Sequence, residues 1–372
     1  MPGIYIHIPF CRQACHYCNF HFSTSLRYKN ELLGALLKET ELQKDYLGKE
    51  VVETIYFGGG TPSILQISDL RLQIEKIKET FNISAKAEIT LEANPDDINE
   101  EKLRGWKKIG INRLSIGVQS FFEEDLLWMN RAHNAEQAFG SLQLAVKYFD
   151  NITMDLIYGH PLLSDEKWKQ NVERVIALNI PHISCYALTV EPKTPLSKMI
   201  KEKKKEDIQQ EKQAEQFLLL MEWLENAGYE HYEISNFANP GFKSRHNASY
   251  WQGKKYLGLG PSAHSFNGES RQWNISNNNI YIESLEKNEI PFEKEILTPS
   301  QKVNEYIMTS LRTMEGLDIS KIPEAMSHEL RSASKKFIES GKLTLKENKL
   351  QLTKEGKLFA DGIAADLFID AV

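Results

Sequence analysis

The sequence predicts an α/β fold: an open (β/α)6 partial barrel followed by a small, mainly helical domain resembling a winged helix. Three observations carry this. Six short strand-like segments are each followed by a helical stretch. Polar and apolar residues alternate within those strands. Beyond Thr298 the pattern turns helical, interrupted by one hairpin. The repeated order β-α points to a parallel sheet, and six equivalent units favour an open barrel over a doubly wound sheet, which stays as the alternative.

The six segments are residues 4–8, 54–57, 88–94, 113–120, 152–158 and 183–190. In the first, Ile4, Ile6 and Ile8 share one face while Tyr5 and His7 share the other. The third sets Ile89, Leu91 and Ala93 against Glu88, Thr90, Glu92 and Asn94. The fourth opposes Leu114, Ile116 and Val118 to Ser115, Gly117 and Gln119, and the fifth opposes Ile152, Met154 and Leu156 to Thr153 and Asp155. Parallel strands buried on both faces read as continuous apolar runs. These read as one apolar face for helices and one polar face. Burying carboxylates, an amide and hydroxyls without partners costs several kcal/mol, so the polar interior implies a cavity for a polar ligand. By the same alternation Cys185 falls on the helix-facing side with Ile183 and Ala187 and is structural.

The chain has 372 residues and a formal net charge of −6, which suits one large and one smaller domain. No apolar run approaches the ~20 residues needed to span a bilayer. The N-terminus lacks the basic and apolar regions of a secretory signal. Four cysteines in this length suit a reducing cytosol, so a cytoplasmic protein is expected. Mild acidity argues against a nucleic-acid surface, and the charged run 201–206 reads as the solvated start of a helix.

Cys11, Cys15 and Cys18 follow the first strand as C-x3-C-x2-C. One short loop with this spacing puts three thiolates on a cubane [4Fe-4S] cluster and leaves the fourth iron without a protein ligand. An iron with a free site can chelate a small molecule and drive electrons into it. A buried helical stripe is opposed by Pro9 and by the polar neighbours Arg12, Gln13, His16 and Asn19. A zinc knuckle completed by His16 or His21 stays open as the rival, although no second Cys or His pair follows.

Gly58-Gly59-Gly60-Thr61-Pro62 follows the second strand. Its glycines permit close backbone approach to a ligand at the strand end where barrel sites lie, and the Thr61 hydroxyl adds a donor. Glu92, Gln119 and Asp155 are inward groups suited to ribose hydroxyls or amines, and Arg131 is a candidate for a ligand carboxylate.

The cysteine triad, with Tyr17 just before its third member, together with the β/α pattern, resembles the radical S-adenosylmethionine (SAM) superfamily. Further motifs narrow the resemblance. They are Tyr5-x-His7-Ile8-Pro9-Phe10-Cys11, Phe57-Gly58-Gly59-Gly60-Thr61-Pro62, Glu92-Ala93-Asn94-Pro95, Gly117-Val118-Gln119-Ser120 and Asp155-Leu156-Ile157-Tyr158-Gly159. They are similar to the branch holding oxygen-independent coproporphyrinogen III oxidase and the HemW-type haem chaperones, from residue 4 to about residue 270. The resemblance implies a radical-SAM partial barrel with Tyr5, Gly59, Gly60, Thr61, Glu92, Gln119, Arg131 and Asp155 lining the SAM site. It also implies reductive cleavage of SAM at the cluster.

Three departures favour the chaperone type over the oxidase, which remains the alternative. The oxidase motif continues with a cysteine two residues after the third, where this chain has Phe20. The oxidase carries a long N-terminal extension, whereas ten residues precede Cys11 here. His246-Asn247-Ala248-Ser249-Tyr250-Trp251 matches the H-N-x-x-Y-W signature of the chaperones. An imidazole with flat aromatic neighbours is a sound haem contact, so His246, Tyr250 and Trp251 are the haem-binding candidates. The resemblance implies haem as cargo, a membrane respiratory haemoprotein as recipient, at most peripheral membrane contact and no nucleic acid, and it leaves a homodimer open.

Three domains are expected: a barrel core over 1–200, a connecting region over 201–297 that carries the H-N-x-x-Y-W motif, and a C-terminal domain over 298–372. Helical periodicity over 209–225 ends at Gly228 and a strand follows over 229–237. Residues 255–297, rich in Gly, Asn and Ser, read as a loop region. Residues 342–345 and 349–353 form a hairpin around Glu347-Asn348, followed by a helix over 354–368.

Overall fold

A computed structural model describes residues 2–369. The six expected strands are β1 (Gly3–Ile8), β2 (Val52–Gly59), β3 (Ile83–Ala93), β4 (Arg113–Gln119), β5 (Ile152–Tyr158) and β6 (His182–Ala187). They pair in chain order, all parallel, with Ile6 opposite Phe57 and Leu91 opposite Leu114. Chain order across the sheet is what successive right-handed crossovers generate, and it excludes the doubly wound alternative. The apolar faces are sealed against helices. Ile4, Ile6, Ile8, Leu91, Ile116 and Met154 share one core with Trp106 and Trp168 from the helical layer. Cys185 lies in that core, 1% exposed.

The sheet continues at both ends and does not close. β7 (Glu230–Glu233) and β8 (Asn236–Ala238) form an antiparallel hairpin that joins through β8 to β6. At the other end β9 (Tyr256–Leu259) pairs parallel with β1, and β10 (His264–Phe266), β11 (Ser270–Asn274) and β12 (Phe292–Ile296) follow antiparallel. Residues 255–297 are therefore a sheet extension with the helix Asn278–Glu286, which corrects the loop reading. Their polar composition hid the strands because the polar side chains are buried with partners. Asn274 donates to Glu39 Oε1 at 2.6 Å and to the Gly260 carbonyl at 2.9 Å, and Ser265 Oγ accepts from the Gly258 N–H. Glu39 also accepts from the Tyr281 hydroxyl and the Gly260 N–H, tying the helix Lys29–Leu42 to this extension.

A second core gathers Ile307, Leu311, Leu330, Leu350 and Ile363. It surrounds a small sheet of β13 (Leu317–Asp318), β14 (Leu343–Lys346) and β15 (Lys349–Leu352), in the order β13-β15-β14. The last helix is shorter than expected, a 3-10 turn over Gly356–Phe359 and then Ala360–Asp366. This part meets the β7–β8 hairpin through main-chain bonds from Ile234 to Arg312 and from Met314 to Tyr232.

Candidate functional site

The cysteine loop leaves the C-terminal end of β1 and is pinned at its neck. The Cys11 N–H donates to the Ser23 carbonyl and the Ser23 N–H to the Pro9 carbonyl. Phe10, 1% exposed, anchors the neck in the core. The far side of the loop is tied to the turn after β4, where Asn130 donates to the Ala14 carbonyl at 2.7 Å and the His16 N–H donates to Met129. This loop and the ends of β2–β6 enclose a cavity of about 450 Å³ lined by Cys11, Cys15 and Cys18.

Gly59, Gly60, Thr61, Glu92, Gln119, Arg131 and Asp155, seven of the eight expected SAM contacts, line the same cavity. Gly60 is required by space, since a Cβ there would lie 2.7 Å from the Phe10 carbonyl and 2.8 Å from the Ile8 carbonyl. Glu92 accepts from the Tyr56 hydroxyl at 2.8 Å and from the Gly59 N–H at 3.2 Å. Burial pushes its carboxyl up to about 7, with the Tyr56 bond pulling the other way. Burial likewise raises Asp155 to about 6, opposed first by the Ser184 hydroxyl. Gln119 sits at a register shift with φ +70, a strained conformation for a residue with a side chain, and its Oε1 is buried without a partner.

Arg131 has most of its donors committed to the protein. Its guanidinium donates to the Gly117 carbonyl at 2.7 Å and to Asn94 Oδ1 at 2.9 Å, and approaches Cys15 Sγ at 3.2 Å. Only its buried Nε lacks a partner. Thr61 donates to Cys11 Sγ at 3.5 Å. Sequence reasoning did not place Asn94 and Tyr17 in the site, yet Asn94 bridges Arg131 and Thr61, and Tyr17 lies beside Arg131. Asn94 was legible as the next inward residue after Glu92 on the third strand. Nothing in the sequence signalled the partner of Tyr17.

The donor set fits a cluster with a polar ligand beside it. Among the described residues no three Cys, His, Asp or Glu side chains converge as a single-ion site. A cubane spreads its ligands over separate irons, which matches three thiols arranged around one cavity. Neither histidine considered for zinc lines the cysteine cavity; His16 Nδ1 is turned to the Trp128 carbonyl and His21 Nε2 to Asn278 Oδ1. The orphaned Gln119 Oε1 and Arg131 Nε can bond a ligand carrying amino, carboxylate and hydroxyl groups, and Gly59 and Gly60 leave it room beside the main chain. Burial pushes the Cys18 thiol up to about 11 and the Cys11 thiol upward, so binding iron there displaces protons.

Tyr5, His246, Tyr250 and Trp251 do not line this cavity. Tyr5 lies below its floor, ring to ring with Tyr56 at 6.1 Å, its hydroxyl 3.2 Å from His7 Nδ1. His246 is 1% exposed and stacks on Tyr56 at 4.9 Å. Both of its ring nitrogens are occupied, Nδ1 by the Thr54 hydroxyl and Nε2 by the Tyr250 hydroxyl, each at 2.8 Å. Trp251 packs under the Arg312 guanidinium, 5.1 Å from its ring centre. The motif plugs the barrel beneath Tyr56 and Glu92, and its histidine has no free nitrogen to give an iron.

Residues 5–175 match the model of the radical SAM superfamily and residues 297–359 that of the HemN C-terminal domain. A protein of Bacillus subtilis named "Heme chaperone HemW" is 33% identical over 371 residues, 98% of each chain. This chain belongs to the HemW family of radical SAM proteins. A HemW of Mycobacterium tuberculosis is 31% identical over 373 residues, covering 98% of this chain and 94% of its own. A solved structure of coproporphyrinogen III oxidase (HemN) from Escherichia coli superposes with a TM-score of 0.85 at 24% identity, over 99% of this chain and 90% of that one. That likeness establishes the open radical-SAM fold. Membership of the radical SAM superfamily implies a [4Fe-4S] cluster and SAM. No helix among the described residues is long and apolar enough to cross a membrane.

Proposed function

We propose that this chain is a cytoplasmic haem chaperone, holding a [4Fe-4S] cluster and SAM and passing haem to a respiratory haemoprotein. The observation that carries the reading is full-length identity of 31–33% to proteins named for that role. Cys11, Cys15 and Cys18 would hold the cluster, leaving one iron open to SAM. When bound, that cluster supplies one-electron reduction of SAM. The chain's own residues position the ligand. Gly59 and Gly60 let it approach the main chain, Thr61 offers a hydroxyl, and Glu92, Gln119 and Asp155 face it across the cavity. Arg131, beside Cys15 and held by Asn94 and Gly117, keeps positive charge next to the thiolates. Tyr5 contributes from below by fixing Tyr56, whose hydroxyl orients Glu92.

We further infer a division into a barrel core, a connecting region carrying the H-N-x-x-Y-W motif and a C-terminal domain after residue 297, with the last closing over the β7–β8 side. The second core and the contacts of Arg312 with Trp251 and Asp361 support this. The same proposal allows at most a peripheral membrane contact and leaves a homodimer open. The test is anaerobic reconstitution followed by haem titration and an assay of coproporphyrinogen III decarboxylation. Haem binding without turnover is expected. Turnover of coproporphyrinogen would replace the chaperone reading with the oxidase.

A further inference from the structure

We propose that haem docks in the pocket between the cysteine loop and the helix Asn278–Glu286, with His21 presenting Nδ1 to the iron. The inference rests on the haem-carrier reading above and answers the question that the enclosed His246 leaves open.

The pocket measures about 350 Å³; Phe10, His21, Phe22 and Tyr28 line it on one side, and serines and asparagines at 23, 25 and 276–279 make up the rest of its wall. Phe22 also lines the cluster cavity, so one aromatic ring separates the two spaces. Phe20, two residues earlier and 67% exposed, lines the cluster cavity beside Phe22. A pocket of this size is at the lower end for a ligand site. It takes one edge of a macrocycle and leaves the opposite edge exposed, as transfer to a recipient requires.

The histidine is prepared for a metal. His21 Nε2 lies 2.7 Å from the side-chain oxygen assigned to Asn278. That oxygen accepts only, so Nε2 carries the proton and Nδ1 keeps its lone pair. A ligating histidine characteristically gives its other N–H to such an oxygen, which fixes tautomer and ring orientation. The backbone is held as well, because the His21 carbonyl accepts from His7 Nε2 at 2.9 Å. Two nearby imidazoles are spent. His246 has both nitrogens engaged, and His7 is 4% exposed and bonded through both.

The propionates also have partners. The Arg27 guanidinium lies 5.1 Å from the ring centre of Tyr28, a wall residue, within reach of an anionic side chain that leaves the pocket on that side. The start of the helix Asn278–Glu286, capped by Asn277, turns its positive end to the same pocket.

Haem titrated into the cluster-loaded full chain tests this through the Soret difference spectrum and the ferric EPR signal. His21→Ala should weaken binding at least tenfold, lose the imidazole-ligated signal and regain it with added imidazole, at unchanged iron and sulfide content. Arg27→Ala, outside the cysteine loop, should weaken binding several-fold with the ligand signal intact. His246→Gln should keep the signal. Retention by His21→Ala with loss in His246→Gln overturns the pocket and leaves the haem-carrier reading standing. A His21→Ala loss that imidazole does not repair, at unchanged cluster content, overturns the ligand role. A wild type that binds no haem overturns the carrier reading itself.

Discussion

Replacing His246 by alanine separates a barrel plug from an iron ligand. The imidazole is 1% exposed and makes two 2.8 Å hydrogen bonds, to the hydroxyls of Thr54 and Tyr250. Truncation strands Thr54 Oγ1, whose residue is 4% exposed, at a cost of about 1–3 kcal/mol for an unpaired buried hydroxyl. The Tyr250 hydroxyl loses the same imidazole. The vacated ring space against Tyr56 adds a cavity term, and buried large-to-small changes cost about 2–5 kcal/mol in total. A loss of about 3–5 kcal/mol is expected in urea unfolding of the cluster-free protein, with an unchanged denaturant slope. His246→Gln, which can still reach one hydroxyl, should lose less. Because Tyr56 rests on His246 and orients Glu92, SAM affinity measured by calorimetry on cluster-loaded protein should fall too. A stability loss below about 1 kcal/mol, with SAM affinity intact, would refute the plug.

Other outcomes follow from the same geometry. Glu92→Gln should weaken SAM binding roughly 10–100-fold, the size of a charged hydrogen bond, while iron content stays constant; an unchanged affinity removes Glu92 from the site. Cys15→Ala should abolish reconstitution of the cluster, whereas Cys185→Ser, buried in the barrel core, should keep the iron and lose about 1–3 kcal/mol of stability; iron analysis and unfolding distinguish the two. Burial raises Glu39 from its ordinary 4.5 to about 7, so its neutral form is the one the fold favours. Its contribution is complete below pH 4.5 and declines as pH rises towards 7, by about 3 kcal/mol. Stability measured across that window should fall more steeply in wild type than in Glu39→Gln, and parallel curves would contradict it.

The strands of the barrel were legible because each carries a period-two pattern whose apolar half must meet helices. The inward residues followed from the same alternation, which is why Glu92, Gln119 and Asp155 lie together in the cavity. The extension β9–β12 was not legible, because Ser270, Gln272 and Asn274 are buried polar residues that mimic loop composition. Asn274 finds its partner Glu39 more than 200 positions away.

What the chain determined by itself was local chemistry: three thiols within eight residues, glycines that let a loop approach a strand end, and the sidedness of six strands. Tertiary structure decided which polar groups are still free to bind. Arg131 has the charge to bind a carboxylate, but folding spends most of its donors on Gly117, Asn94 and Cys15. Motif reading singled out His246 over His21 as the haem-binding candidate. Packing closes the first between two hydroxyls and leaves the second with an open nitrogen beside a pocket. Hydrogen-bond satisfaction belongs to pairs of residues distant in sequence, so only the folded arrangement assigns it.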